Sequence, residues 1–306
     1  MQQVTYVLGA GSLGLLYAAR LALTGKTVCL LVKPSQTSAL NLGITLSEGE
    51  AALAKRVFVR VRSEPSSEIK IQQLILATKA GQAVQSLKNW QSSLADDAEI
   101  LMLQNGMGSQ AEVAKLLTAQ QTLLAASVTE GAYLAKPGSV IHASKGKTQL
   151  GRWSGAGKDA AARWASRLTI AGLTAEVTEP IRPVLWHKLA VNSVINPLTA
   201  INNIDNGALA SRDYKPQVDA LCAEVLQVFK RLGIEEPEGG LKYRVEQVIL
   251  STAANRSSML QDISSGKKTE IDYITGALLK AAKALKLDLK AHQSVYLAIK
   301  EAEQRE

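Results

Sequence analysis

Lys188, Asn192 and Asn196 stand four residues apart in the run His187-Lys188-Leu189-Ala190-Val191-Asn192-Ser193-Val194-Ile195-Asn196-Pro197-Leu198-Thr199-Ala200. On a helix that spacing lines them along one face, at successive turns of about 5–6 Å. Leu189, Val191, Val194 and Ile195 lie between them, so the pattern predicts a mostly buried helix carrying one polar stripe. A buried lysine with two amides needs polar company, and a small polar substrate lying along the stripe would supply it. The alternative is a solvent-facing stripe, and the apolar neighbours weigh against that. Pro197 has no amide proton to offer the Ser193 carbonyl, so the helix is expected to kink or end just after Asn196.

A second chemical feature lies at the amino terminus. Gly9-Ala10-Gly11-Ser12-Leu13-Gly14 follows an apolar strand-like run and opens an apolar helical stretch, Leu15 to Leu23. In that context the glycines point to a dinucleotide: Gly9 for a tight turn, Gly11 for close approach of the pyrophosphate, Gly14 for packing of helix on strand. The phosphates would rest on unpaired amides at the positive end of the helix. A glycine turn that merely joins strand to helix is the plainer reading. The next strand ends at Lys33 and meets no carboxylate before Glu48, and Lys33-Pro34-Ser35-Gln36 offers a cation and a hydroxyl to a 2′-phosphate. That favours NADPH over NADH. Lys79 and Gln104-Asn105-Gly106-Met107-Gly108 follow the third and fourth clear strands, where open α/β sheets bind ligands, although Lys79 also fits a surface cation and Asn105-Gly106 an ordinary turn. Ser257 to Tyr273, with Ser258 and Glu270, reads by itself as a segment of helix caps.

These groups must be held by two kinds of structure. Strand-like runs at Val4 to Leu8, Thr27 to Val32, Gln73 to Ala77, Ile100 to Leu103 and Thr122 to Ser127 alternate with helical stretches, which predicts a parallel sheet with helical crossovers. Runs near Ser139 to His142, Thr148 to Leu150 and Thr174 to Val177 extend that sheet or form an antiparallel edge. After Glu179-Pro180-Ile181-Arg182-Pro183 the apolar spacing turns helical, with helices expected over Val184 to Ile195, Lys215 to Leu232, Leu241 to Ala254 and Asp272 to Leu285. A chain of 306 residues favours two domains, and we place them at 1–179 and 180–306.

Composition narrows the function classes. The formal charge is +8, but Lys and Arg are interspersed with Asp and Glu, a pattern unlike a nucleic-acid stripe and better suited to steering small anions. Cys29 and Cys222 have no close Cys or His neighbours and read as buried thiols, and His142, His187 and His292 are scattered, so no metal site is expected. No apolar run reaches the roughly 18 residues of a membrane span, and the amino terminus carries no secretory signal, which makes the cytoplasm the expected location.

Gly9 to Gly14, Asn105-Gly106-Met107-Gly108, Lys188 to Asn192 with Asn196 to Ala200, and Ser257 to Tyr273 together resemble the ketopantoate reductases in order and spacing, over nearly the whole chain. The resemblance implies an α/β Rossmann-like doubly wound sheet followed by an all-α carboxyl-terminal domain, and reduction of ketopantoate by NADPH on the way to pantothenate. Carried over by position, Lys188 is the general acid; Asn105, Asn192, Asn196, Asn206 and Ser258 hold the 2-oxo acid; Glu270 completes the site and contacts cofactor. Gly9, Ala10, Gly11, Ser12, Leu13, Gly14, Lys33, Lys79, Asn105 and Ala132 complete the cofactor contacts. These roles make physical sense, because a keto oxygen gaining charge is stabilised and protonated by a nearby ammonium. The family often has arginine where Lys33 stands, so the doubly hydrogen-bonded grip on a phosphate is lost here and preference for NADPH is expected to weaken. His187, about 100° around the helix from Lys188, is a rival acid read as packing or surface. Two other readings stay open: a β-hydroxyacid dehydrogenase or other 2-oxo acid reductase, and an NADPH sensor without turnover. No nucleic-acid or membrane partner is expected, and the protein is expected to be a monomer or homodimer.

Overall fold

Val28 to Leu31 and Thr122 to Val128 are buried at every residue because the strands they form are covered on both faces, the signature of a buried parallel sheet. A computed structural model describes residues 3–49, 52–66 and 68–304. Among the described residues the strands are β1 (Thr5–Leu8), β2 (Val28–Leu31), β3 (Ile44–Glu48), β4 (Lys55–Val57), β5 (Arg60–Arg62), β6 (Ile71–Leu76), β7 (Leu94–Met102), β8 (Thr122–Val128), β9 (Gly131–Lys136), β10 (Ser139–Ser144), β11 (Thr148–Ser154) and β12 (Ala175–Val177). The helices are α1 (Ser12–Leu23), α2 (Thr37–Leu40), α3 (Ala83–Trp90), α4 (Ser109–Ala114), α5 (Ala160–Ile170), α6 (Ile181–Asn202), α7 (Lys215–Leu232), α8 (Leu241–Ser251), α9 (Ser258–Ser264), α10 (Thr275–Ala284) and α11 (Lys290–Ala302). None is long and apolar enough, among the described residues, to cross a membrane.

The chain divides into two compact units, one of residues 1–104 and 109–182, the other of 105–108 and 183–306. In the first, an eight-stranded sheet runs β12-β11-β8-β7-β6-β1-β2-β5. The six strands from β5 to β8 are parallel, and their chain order across the sheet is 3-2-1-4-5-6, with direction of winding reversing between β1 and β6. Alternate residues feed opposite faces. Val7, Leu30, Ile75, Leu101 and Leu124 pack with α1 and α5, whereas Leu8, Leu31, Leu76, Met102 and Leu123 pack with α3. Each fully buried aliphatic side chain of this kind contributes about 1.5–3 kcal/mol.

Thr148 to Leu150 does join the large sheet, antiparallel to β8, and β12 forms its edge. Ser139 to His142 does not. It belongs to a separate four-stranded sheet, β4-β3-β10-β9, that the strand pattern does not announce. This sheet is pinned to α1 by a polar chain that is buried at Arg20, His142 and Glu130 and open at Glu48: Arg20 donates to Glu48 at 3.0 Å and to His142 Nδ1 at 2.8 Å, and His142 Nε2 donates to Glu130 at 2.8 Å. Arginine only donates, so Nδ1 is the acceptor in that contact.

The second unit consists, among its described elements, of helices. Leu189 and Val194 of α6, Val225 and Phe229 of α7, Val245 of α8 and Leu278 of α10 share one core. Of the two outcomes expected at Pro197, a kink or an end, the helix does not end there: α6 runs through Pro197 to Asn202. Within the next turn the Thr199 hydroxyl lies 2.9 and 3.0 Å from the Ile195 and Asn196 carbonyls.

Candidate active site

In the first unit the candidate groups collect where the winding of the sheet reverses. Gly9 follows β1 with φ of +109°, and a Cβ there would stand 3.0 Å from the Ala77 backbone. A Cβ on Gly14, in the first turn of α1, would fall 2.1 Å from the Gly9 carbonyl oxygen. A Cβ on Gly11 would meet nothing nearer than the Ala77 oxygen at 3.9 Å. Gly11 is also the N-cap of α1, with no side chain capping the helix and no acidic residue in its first turn. The loop is thus tight against protein on two sides and open over Gly11, with free amides at a positive helix end, which fits a pyrophosphate. Ala10, Ser12 and Leu13 complete this turn.

Lys33 follows β2 and is exposed, and its backbone amide donates to Gln36 Oε1 at 3.3 Å. Lys79 follows β6, half-buried, as the N-cap of a single 3-10 turn, Ala80–Gln82. Ala132 lies on the small sheet, opposite His142 of β10 and packed against the core.

In the second unit three predicted residues meet. Lys188 Nζ donates to Asn105 Oδ1 at 2.7 Å, and Asn105 Nδ2 reaches Glu270 Oε2 at 3.4 Å. The charges at its two ends orient the amide, oxygen toward ammonium and nitrogen toward carboxylate. Burial pulls the Lys188 ammonium from its ordinary 10.5 down to about 8, against the charge of Glu270. The loop that carries Asn105 is fixed because Met107 N donates to the Tyr273 carbonyl at 2.8 Å. Gly106, φ +80°, is required there, since a Cβ would lie 2.2 Å from that carbonyl oxygen. Glu270 precedes the 3-10 turn Ile271–Tyr273, and Thr269 beside it is held through both its amide and its hydroxyl by Glu303 at 2.7 Å.

Asn192 and Asn196 follow Lys188 along α6, half-buried and 7% exposed respectively. Behind them Ser193 meets His292 Nε2 at 3.3 Å, while His292 Nδ1 meets Glu224 at 2.8 Å, so α7 and α11 set the rotation of α6. Asn206 is buried and donates to Thr252 at 2.9 Å, leaving its oxygen without a partner among the described residues. Ser258 opens α9 and is exposed. The buried hydroxyl is its neighbour, Ser257, which caps α9 by accepting from Leu260 N at 3.1 Å and pairs with Thr199 at 2.7 Å. Sequence reasoning missed the link from Thr199 to Ser257; the only signal for it was Ser257 three residues before Leu260, an N-cap spacing. His187 bonds the Glu235 carbonyl at 2.8 Å and packs on Phe229, as a structural residue does. No group of three or more His, Cys, Asp or Glu among the described residues is placed to hold a metal ion.

A doubly wound sheet with an open glycine turn at its switch point, and a helical unit presenting an ammonium, an amide and a carboxylate in series, define a dinucleotide-dependent oxidoreductase. Comparison with known proteins makes this specific. Residues 5–155 match the family described as ketopantoate reductase PanE/ApbA, and residues 180–303 match its carboxyl-terminal region. The chain belongs to that family. It is 34% identical to the 2-dehydropantoate 2-reductase of Salmonella typhimurium, over 97% of this chain and 94% of that one. Among solved structures it resembles a PanE/ApbA family ketopantoate reductase from Ralstonia eutropha, with a TM-score of 0.90 and 25% identity over 99% of both chains. It also resembles D-mandelate dehydrogenase in a ternary structure with NADH and anilino(oxo)acetate, with a TM-score of 0.91 and 25% identity over 99% of this chain and 98% of that one.

Proposed function

We propose that this protein reduces 2-dehydropantoate (ketopantoate) to pantoate with NADPH, a step toward pantothenate, as a cytoplasmic monomer or homodimer. The observation that carries the reading is the Lys188–Asn105–Glu270 chain, whose residues fall within the spans that match the family. Cofactor is assigned to residues 1–179 and substrate to 180–306, with Asn105 serving both.

NADPH, when bound, supplies the hydride. Gly9 to Gly14 would hold its pyrophosphate on the amides of the helix start, Lys33 would meet the 2′-phosphate, and Lys79, Ala132, Asn105 and Glu270 would complete its contacts. Asn192, Asn196, Asn206 and Ser258 hold the 2-oxo acid through its carboxylate and hydroxyl. As the keto oxygen gains charge, Lys188 Nζ stabilises it and then gives up a proton, so that C=O becomes CH–OH. Asn105 and Glu270 keep the ammonium aimed and favour its charged form against burial.

The test is the rate of cofactor absorbance loss with ketopantoate, against pyruvate and phenylglyoxylate. Fast loss specific to ketopantoate is expected. The likeness to D-mandelate dehydrogenase favours a second reading, reduction of another 2-oxo acid, and faster loss with phenylglyoxylate would establish that one instead. Binding of NADPH with no turnover of any 2-oxo acid would indicate a sensor. We further expect Lys33→Glu to lower the ratio of kcat/KM for NADPH over NADH by about tenfold or more, because a carboxylate repels the phosphate and accepts from a ribose diol. An unchanged ratio would mean that Lys33 does not reach the phosphate.

A further inference from the structure

Gln104 lies just past β7 and is 4% exposed. Its amide nitrogen donates to the Leu76 carbonyl at 3.0 Å and the Thr78 carbonyl at 2.9 Å, at the end of the neighbouring strand β6. Both amide protons are then in use. Turning the amide over would set its oxygen against two carbonyl oxygens, so the side chain has one orientation. Its Oε1 therefore faces away from both carbonyls, shielded and, among the described residues, without a donor. The Thr78 hydroxyl is in the same condition. Thr78 adjoins the glycine turn, its methyl group 3.0 Å from where a Cβ on Gly9 would stand. Buried polar atoms are almost always paired, so two orphans beside a ligand-binding turn call for a ligand that pairs them.

Their place in the sheet says which part of the ligand. In a doubly wound sheet the two halves each take one mononucleotide, and the adenosine ribose lies at the end of the second strand, here β2. Thr78 and Gln104 end β6 and β7, across the switch point from β2. We propose that they seat the nicotinamide riboside half of the dinucleotide, with Gln104 Oε1 accepting from an N–H or O–H of that half and the Thr78 hydroxyl pairing with its neighbouring polar atom. This rests on the dinucleotide reading above.

The experiment measures Kd for NADP+ and for 2′-phospho-ADP, which keeps both phosphates of the pyrophosphate and lacks the nicotinamide riboside, by titration calorimetry of the wild-type chain, Thr78→Val and Gln104→Met. Valine keeps the shape of threonine and takes no partner from any other group, so Thr78→Val should fold with an unchanged or higher Tm. NADP+ should bind each variant about five- to tenfold more weakly, the worth of one hydrogen bond. Binding of 2′-phospho-ADP should stay within about twofold, which also reports an intact glycine turn where Gln104→Met leaves two carbonyls unpaired. Unchanged NADP+ affinity in Thr78→Val, or equal weakening of both ligands, would overturn the assignment. A wild-type chain that binds neither ligand would remove the dinucleotide reading itself, and this one with it.

Discussion

Lys188→Ala is expected to lower kcat for ketopantoate reduction by about 10³–10⁴, since one side chain supplies both the proton and the charge that stabilises the oxyanion. The Kd for NADPH should hold within about twofold, and the Tm should not fall. A desolvated ammonium is a cost to the fold, and its removal relieves that cost. The same residue sets a pH dependence. Burial disfavours the charged form, so Lys188 is ammonium below about pH 8 and amine above it. An acid must carry its proton, so kcat/KM for reduction should decline roughly tenfold per unit above that point, and the residual rate of the alanine variant should lack the decline. Near-normal turnover in Lys188→Ala would remove it as the acid and bring another donor into question.

The glycine turn supports the other large effect, read from two substitutions that add the same single carbon. Gly14→Ala sets that carbon 2.1 Å from the Gly9 carbonyl, and two backbones must part to admit it. We expect about 1–3 kcal/mol of lost stability in denaturant titrations and at least tenfold weaker NADPH binding, as the helix leaves the strand. Gly11→Ala adds its carbon in open space, with φ of −75° that alanine adopts freely. Its stability should stay within about 0.5 kcal/mol of the wild type while NADPH binding weakens by a similar factor, because only a ligand would occupy that space. If Gly11→Ala bound NADPH normally, the pyrophosphate would not lie over the turn.

Strands β1, β2, β6, β7 and β8 were legible, unlike the edge strand β5 of three residues with both arginines exposed, because each contains a short apolar run, and α7 because its period is regular from Lys215 to Leu232. The small sheet was not. Lys55–Val57 is three residues long with two exposed, and Gly131–Lys136 has no apolar alternation, so only their pairing partners make them strands. Helix α11 was missed for a related reason: its amphipathic face carries just two fully buried residues, His292 and Ile299, and His292 is held there by Glu224, 68 positions away. At the site, the spacing of Lys188, Asn192 and Asn196 was visible because it is local to one helix. The meeting of Lys188 with Asn105 spans 83 positions and that of Asn105 with Glu270 spans 165, and no periodicity encodes such distances. The end of α6 was misplaced for the opposite reason, since the helix continues past Pro197 where Leu198, Thr199 and Ala200 are buried, a tertiary contribution that a local rule does not count.

Asn105 to Gly108 lies between β7 and α4 in the chain but clusters with the helical unit. The two halves are therefore not interchangeable cassettes. A gene fusion that grafts residues 183–306 onto a foreign nucleotide-binding half would carry Lys188 and Glu270 without the amide that joins them, and Tyr273 without the Met107 it pins. Recombination within such a lineage would have to inherit a four-residue loop from one parent's amino-terminal half together with the helices of the same parent.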